Sequence, residues 1–152
     1  RDKPLTSDDV ERILEQIAKA PFSTRLVVVH PDLLGVEYLG YRYSEYAPSD
    51  LAHLGKRVIV EAQWKQGTTL AHYLTDARSV ARHKEVRIVV YRSRGVNRVG
   101  LLCPNGIPKE RMGINARPWL WVVYDADRDI ITTGYQISGI GNVWLPEDAR
   151  WL

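Results

Sequence analysis

One cysteine, Cys103, stands among the 152 residues. That excludes an intramolecular disulfide framework and suits a reducing compartment. No apolar run approaches the roughly 20 residues that cross a bilayer, so no membrane-spanning segment is expected. There is no glycine-rich phosphate loop ending in Lys-Ser/Thr, no GxSxG elbow and no HExxH pair. P-loop nucleotide hydrolysis, serine-hydrolase chemistry and zincin-type proteolysis are thereby set aside. Internal repeats, low-complexity tracts and a clear linker are also missing, so residues 1–152 are expected to form a single domain. The first sixteen residues, RDKPLTSDDVERILEQ, are charged and helical in pattern, unlike a secretory signal. A cytoplasmic site of action is expected, and delivery by a carrier segment upstream is compatible with it.

What is present is an ordinary globular composition, 45% hydrophobic and 26% charged, with a net charge of +3. The charge is unevenly distributed. Residues 1–50 carry 6 basic and 9 acidic side chains, residues 51–117 carry 13 and 4, and residues 118–152 carry 2 and 5. A basic centre between acidic flanks marks a candidate polyanion surface, since phosphates are the usual partners of clustered Lys and Arg; a solvated basic face is the competing reading. Arg78, Arg82, Arg92, Arg94, Arg98 and Arg111 are the candidate phosphate contacts.

Residues 8–20 have the 3.6-residue period of a helix, with Val10, Ile13, Leu14 and Ile17 on one face, Asp8 and Glu11 as a capping box and Pro21 as the stop. Thr24–His30 and Val36–Tyr43 read as strands, the second interrupted by Gly40. Its tyrosines, Tyr38, Tyr41 and Tyr43 with Tyr46, fit either a sheet lining or a stacking platform for bases. Ser44–Gly55 reads as a polar connection. Residues 57–65 read as a strand with Val58, Val60, Ala62 and Trp64 on one face and Glu61, Gln63 and Lys65 on the other. A helix from Thr68 or Thr69 to about residue 83 and a strand over 85–91 follow, which suggests a crossover and a parallel pair. Val99–Cys103 is a short strand, 104–118 a long loop, and 119–124 with 130–137 a hairpin. The tail after Gly141, with two tryptophans, is expected to dock on the body. The expected fold is α+β or α/β: a mixed sheet of about seven strands, an N-terminal helix and one crossover helix.

A carboxylate, an amide oxygen and an ammonium in a row suit phosphodiester hydrolysis. A divalent cation would neutralise charge on phosphorus and acidify a bound water; Asp50 and Glu61 would supply carboxylates and Gln63 a neutral oxygen, and Lys65 would position the water or stabilise the transition state. The run Pro48-Ser49-Asp50, then Glu61-x-Gln63-x-Lys65, followed by an amphipathic helix and the strand VRIVVY, resembles the PD-(D/E)xK nuclease superfamily over residues 36–92. It departs from that pattern in Ser49, between Pro48 and Asp50, and in Gln63, where an acid is commoner. The resemblance implies a metal-dependent nuclease of DNA or RNA, of toxin, defence or mobile-element type. It further implies Mg²⁺ as cofactor on Asp50, Gln63 and Glu61, and Lys65 as the catalytic lysine. A toxin domain would also have an acidic inhibitor or immunity protein as partner, by charge complementarity. A strand with a solvated polar face is the plain alternative.

Two other resemblances compete. The hairpin WVVYDADRDIITTGY is similar to the terminal hairpin of metal-independent RNase toxin domains of the barnase and colicin E5 type, which would place Thr132 and Tyr135 near a scissile phosphate with His30 or an arginine. GVEYLGYRY followed by LAHLGKRVIVE is similar to the small β-barrel of Mu-type transposases, a non-catalytic nucleic-acid-binding module. Of the other histidines, His72 is expected to pack beside the apolar stripe of its helix, and Cys103 to be a buried small apolar residue.

Overall fold

The computed structural model describes residues 4–152. The fold is α+β. Helix α1 (Val10–Lys19) follows a 3₁₀ turn at Ser7–Asp9. Its capping box is Thr6 with Asp9 rather than Asp8 with Glu11, because the Thr6 N–H donates to Asp9 Oδ2 at 2.8 Å. Ile13 and Ile17 are buried, and the helix ends at Ala20, before Pro21. Strands β1 (Leu26–Val28) and β4 (Tyr46–Pro48) form one antiparallel ladder. Strands β2 (Glu37–Tyr38) and β3 (Tyr41–Arg42) form another, turning at Leu39 and Gly40, both with positive φ. Gly40 is thus the bend that splits the expected strand 36–43.

Residues 57–65 are not a strand. Helix α2 begins at Ser49 (Ser49–Gly55) and continues as a π-helical segment over Lys56–Val60. The residues 58, 60, 62 and 64 alternate as a strand would, but Leu54 and Val58 also stand four apart, with Pro48 as N-cap of the helix. Burial against α3, β1, β4 and the edge of the large sheet selects the helical period over the β-branched propensity of Val-Ile-Val. After Glu61 the chain turns through Ala62, whose φ is +54°, and Trp64 makes an isolated bridge to Met112. With no strand here, helix α3 (Leu70–Arg78) is not a crossover between parallel strands. Thr69 caps it as expected, its side chain accepting from the His72 N–H at 3.1 Å. His72 itself is exposed, not packed. The β-barrel suggested for residues 35–43 and 51–61 is likewise absent, since its second half is α2 and its continuation.

The second half of the chain builds the sheet. β5 (Arg87–Ser93), β6 (Val96–Pro104), β7 (Trp119–Asp125) and β8 (Ile130–Ile137) form an antiparallel meander, and β9 (Arg150–Trp151) adds to the β5 edge. β7, apolar in sequence on both faces, is covered on both. One face carries Val90, Val99, Leu101, Cys103, Leu120 and Val122 into the core beneath the helices. The other carries Val89, Tyr91, Leu102, Trp121, Val123 and Ile137, partly roofed by tail residues Val143, Leu145, Ala149 and Trp151. Gly100 lies on this second face, where a Cβ would stand 2.2 Å from the Trp121 ring. Cys103 is buried, and burial pushes its thiol up to about 12, so it behaves as the small apolar residue expected.

The β8 edge is closed rather than left open. Ile131 donates to Pro21 O and accepts from Ser23 N, each at 2.9 Å. Arg57 Nε and the Tyr73 hydroxyl both donate to Gly134 O, at 3.0 and 2.6 Å. The Gln63 side-chain amide then pairs with the Gln136 backbone, accepting from its N–H and donating to its carbonyl, both at 2.8 Å. An unpaired edge strand invites pairing with another chain, and here side chains of α3, of the α2 continuation and of the turn after it take the place of a neighbouring strand.

His53 lies between α2 and the core. Burial first, then the nearby Arg57 and Lys56 cations, lower its pKa to about 4, against the Ser49 carbonyl 2.8 Å from Nδ1. The unfolded chain therefore binds a proton that the folded chain refuses between about pH 6.5 and 4. Stability is complete above about pH 6.5 and falls as the pH drops towards 4, by up to about 3 kcal/mol from this residue. Urea unfolding at pH 7 and 4.5 measures the loss, and His53→Gln should flatten it.

Candidate active face and nucleic-acid interface

The expected metal ligands do not converge. Asp50 and Glu61 are eleven residues apart on α2 and its continuation, about 16 Å along the axis at 1.5 Å per residue. Cation–oxygen distances are near 2 Å, so these carboxylates cannot share an ion. Asp50 Oδ1 accepts from the Leu51 N–H at 2.8 Å within its own helix turn. Gln63 has both ends of its amide committed to Gln136. Lys65 is exposed on the turn after the helix. Among the described residues, no group of three or more His, Cys, Asp or Glu side chains is placed to hold a metal. The donor set expected for Mg²⁺ therefore does not fit this chain, because the strand that would align it is a helix.

Glu61 instead faces Arg57, one turn earlier, with Oε1 3.0 Å from NH1. Arg57 is buried, yet its guanidinium reaches round the β8 edge: NH2 donates to Thr133 Oγ1 at 2.8 Å, and the cation lies over the Tyr135 ring, 4.7 Å from its centre. The ladder β7–β8 slips at Val123/Tyr124, so that Thr133 pairs with Val123 and Tyr135 with Trp121. Both therefore stand on the second face of the sheet. This slip decides which threonine faces Arg57. The expected Thr132 instead gives its hydroxyl to Val123 O at 3.2 Å. Burial raises the Tyr135 phenol, Arg57 opposes the shift, and Glu61 adds to it. Tyr91, on the same face, is raised by burial and by Tyr135 and lowered by Arg98. A half-exposed carboxylate, a buried cation and a phenol that stays protonated at neutral pH thus meet at one sheet edge. His30 belongs elsewhere: its Nδ1 accepts from the Asp32 N–H at 3.0 Å and caps the 3₁₀ turn Pro31–Leu33.

The six candidate arginines separate into two groups. Arg92, Arg94 and Arg98 surround a single cleft of about 530 Å³, with Ser93 and Trp144. The others are employed elsewhere. Arg78 Nε donates to Ala20 O, closing the end of α1. Arg82 is exposed beside Glu11 and Glu15 of α1. Arg111 forms a two-bond ion pair with the buried Asp76. Within the tyrosine cluster Tyr38 and Tyr43 are structural, both buried, with the Tyr38 hydroxyl donating to Thr68 O, whereas Tyr46 is exposed on β4. In the tail the Trp144 ring is left open, while Trp151 docks under Arg87 as the tail was expected to do. Nothing local in the sequence distinguishes the two tryptophans.

No family model, no curated protein and no solved structure matches this chain.

Proposed function

We propose that this chain is a nuclease that cleaves RNA without a metal ion. The observation that carries the reading is the meeting of Glu61, Arg57 and Tyr135 at the β8 edge. Without a metal-activated water, a phosphodiester is opened most simply by the neighbouring ribose 2′-OH, which makes RNA the substrate. Glu61 takes the 2′-OH proton as the oxygen attacks phosphorus. The bond from phosphorus to the 5′ oxygen breaks, and that oxygen takes its proton from Tyr135. The products are a 2′,3′-cyclic phosphate and a free 5′-OH. The Arg57 cation over the Tyr135 ring offsets the negative charge left on the phenol, and its bond to Glu61 holds the base in place. Arg57 is a positioning residue here, since its three nitrogens are all engaged within the protein.

Nucleic acid is then the primary partner, and an acidic inhibitor covering the basic face would be the natural second one. Incubating the protein with a labelled RNA, with and without chelator, tests the reading. Cleavage to cyclic-phosphate ends that chelator leaves unchanged is expected; cleavage abolished by chelator and restored by Mg²⁺ defeats it.

A further inference from the structure

We infer that Trp144 and Arg92, Arg94 and Arg98 form a seat for an unpaired nucleotide, so that the strand held by this domain is single. The inference names the substrate class of the nuclease reading above and rests on it for biological purpose, though not for the binding itself. Trp144 is 71% exposed, which is unusual for so large an apolar ring. It stands on a cleft of about 530 Å³, within the size range of small-molecule sites, whose other lining side chains are three arginines and a serine. None of the lining residues is acidic.

The arginines keep their charge available. Arg92 donates from NH1 to Asn97 Oδ1 and from NH2 to Gly95 O, both at 2.8 Å, so its fixed partners are neutral. Arg98 faces Asp125 across the β6–β7 ladder, but the Asp125 carboxylate already accepts from Arg128 and from the N–H groups of Asp127 and Arg128. Arg98 Nε is buried with no acceptor. With Asp125 engaged by Arg128, the Arg98 guanidinium is held by no acidic partner of its own and remains able to meet a phosphate at the cleft. Arg94 sits in the β5–β6 turn at φ +52°, ahead of Gly95 at φ +77°. That position favours Gly, Asn or Asp, and a long cation there is displayed outward at a cost in backbone strain.

Phosphate contacts alone would accept a duplex. An open indole among them does not serve a duplex, whose base faces are already stacked, whereas any unpaired base can stack on it. The stacking itself is tolerant of sequence, since every base presents a π-face to the indole.

The test measures binding of the full chain to a fluorescent 2′-O-methyl oligonucleotide, which lacks the attacking hydroxyl, as a single strand and as a duplex. The single strand should bind at least about tenfold more tightly. Trp144→Ala should weaken it about 5- to 150-fold, the range of one stacked base, and Trp144→Phe should restore most of the loss. Arg98→Ala or Arg94→Ala should lower the slope of log affinity against log salt by about 0.7 per phosphate lost. Equal affinity for the duplex, an unaffected Trp144→Ala protein or no binding at all overturns the seat. Binding that depends on Trp144 in a protein that never cleaves RNA leaves the seat standing and defeats the nuclease; cleavage without such binding does the reverse.

Discussion

Glu61→Gln is expected to reduce RNA cleavage by about 10²- to 10⁴-fold, the usual contribution of a positioned general base. The substitution is nearly isosteric. The side-chain oxygen can still accept from Arg57 NH1, as the carboxylate does at 3.0 Å, so the guanidinium should stay over Tyr135 and the β8 edge should remain closed. What is lost is the capacity to take a proton. Tyr135→Phe makes the complementary change, keeping the ring under Arg57 and removing the proton donor. Because burial raises the Tyr135 phenol above its ordinary value of 10.0, the alkaline fall in wild-type activity should lie above about pH 10 and be absent from Tyr135→Phe. Initial rates on one RNA, with unfolding curves for each variant, separate chemistry from stability. Wild-type cleavage by a correctly folded Glu61→Gln protein would remove Glu61 from the reaction.

The sheet was legible because its strands carry their own signals. Val-rich segments at 85–91 and 119–124, turn residues between them and the hairpin at DADRD specify β5, β7 and β8 within a few residues. The α1 and α3 periods were equally plain. Residues 57–65 satisfy two periods at once, and only burial against α3 and the sheets chooses between them. Glu61 stands out in the sequence as an acid beside Gln63 and Lys65, but its companions in the structure are different. In the folded chain it answers Arg57 on its own helix and, through Arg57, Thr133 and Tyr135 more than seventy residues on. Tyr135 was visible from the hairpin, whereas the choice of Thr133 over Thr132 depends on a one-residue slip in the ladder. Gln63 shows the same limit, since its pairing with the Gln136 backbone follows from the path of the turn after α2. Of the basic cluster, the members sharing a hairpin were legible as a group, and Arg111 was not, because its partner lies thirty-five residues away.

That partner, Asp76, is where the largest loss of stability is expected. Asp76→Ala should cost about 3–5 kcal/mol, the penalty for breaking a buried ion pair from one side. Asp76 is 2% exposed, and its carboxylate accepts from Arg111 Nε and NH2 at 2.8 and 2.6 Å and from Trp64 Nε1 at 3.0 Å. The variant strands a guanidinium and the N–H of a fully buried tryptophan together. The damage should also spread along the chain. Arg111 O accepts from Lys65 N, Gly113 N donates to Gln63 O and Asn115 N to Ala62 O, so the loop after β6 is stitched to the turn after α2. The same turn places Gln63 against the β8 edge. Asp76→Asn keeps an acceptor for one donor and should lose less. Arg111→Met removes the cation while preserving length and apolar bulk, so Asp76→Ala combined with Arg111→Met should be more stable than the sum of the two single losses. Urea midpoints for the four proteins give the coupling directly. Additive losses, or a loss below about 1 kcal/mol for Asp76→Ala, would mean that the loop is held by its backbone bonds alone.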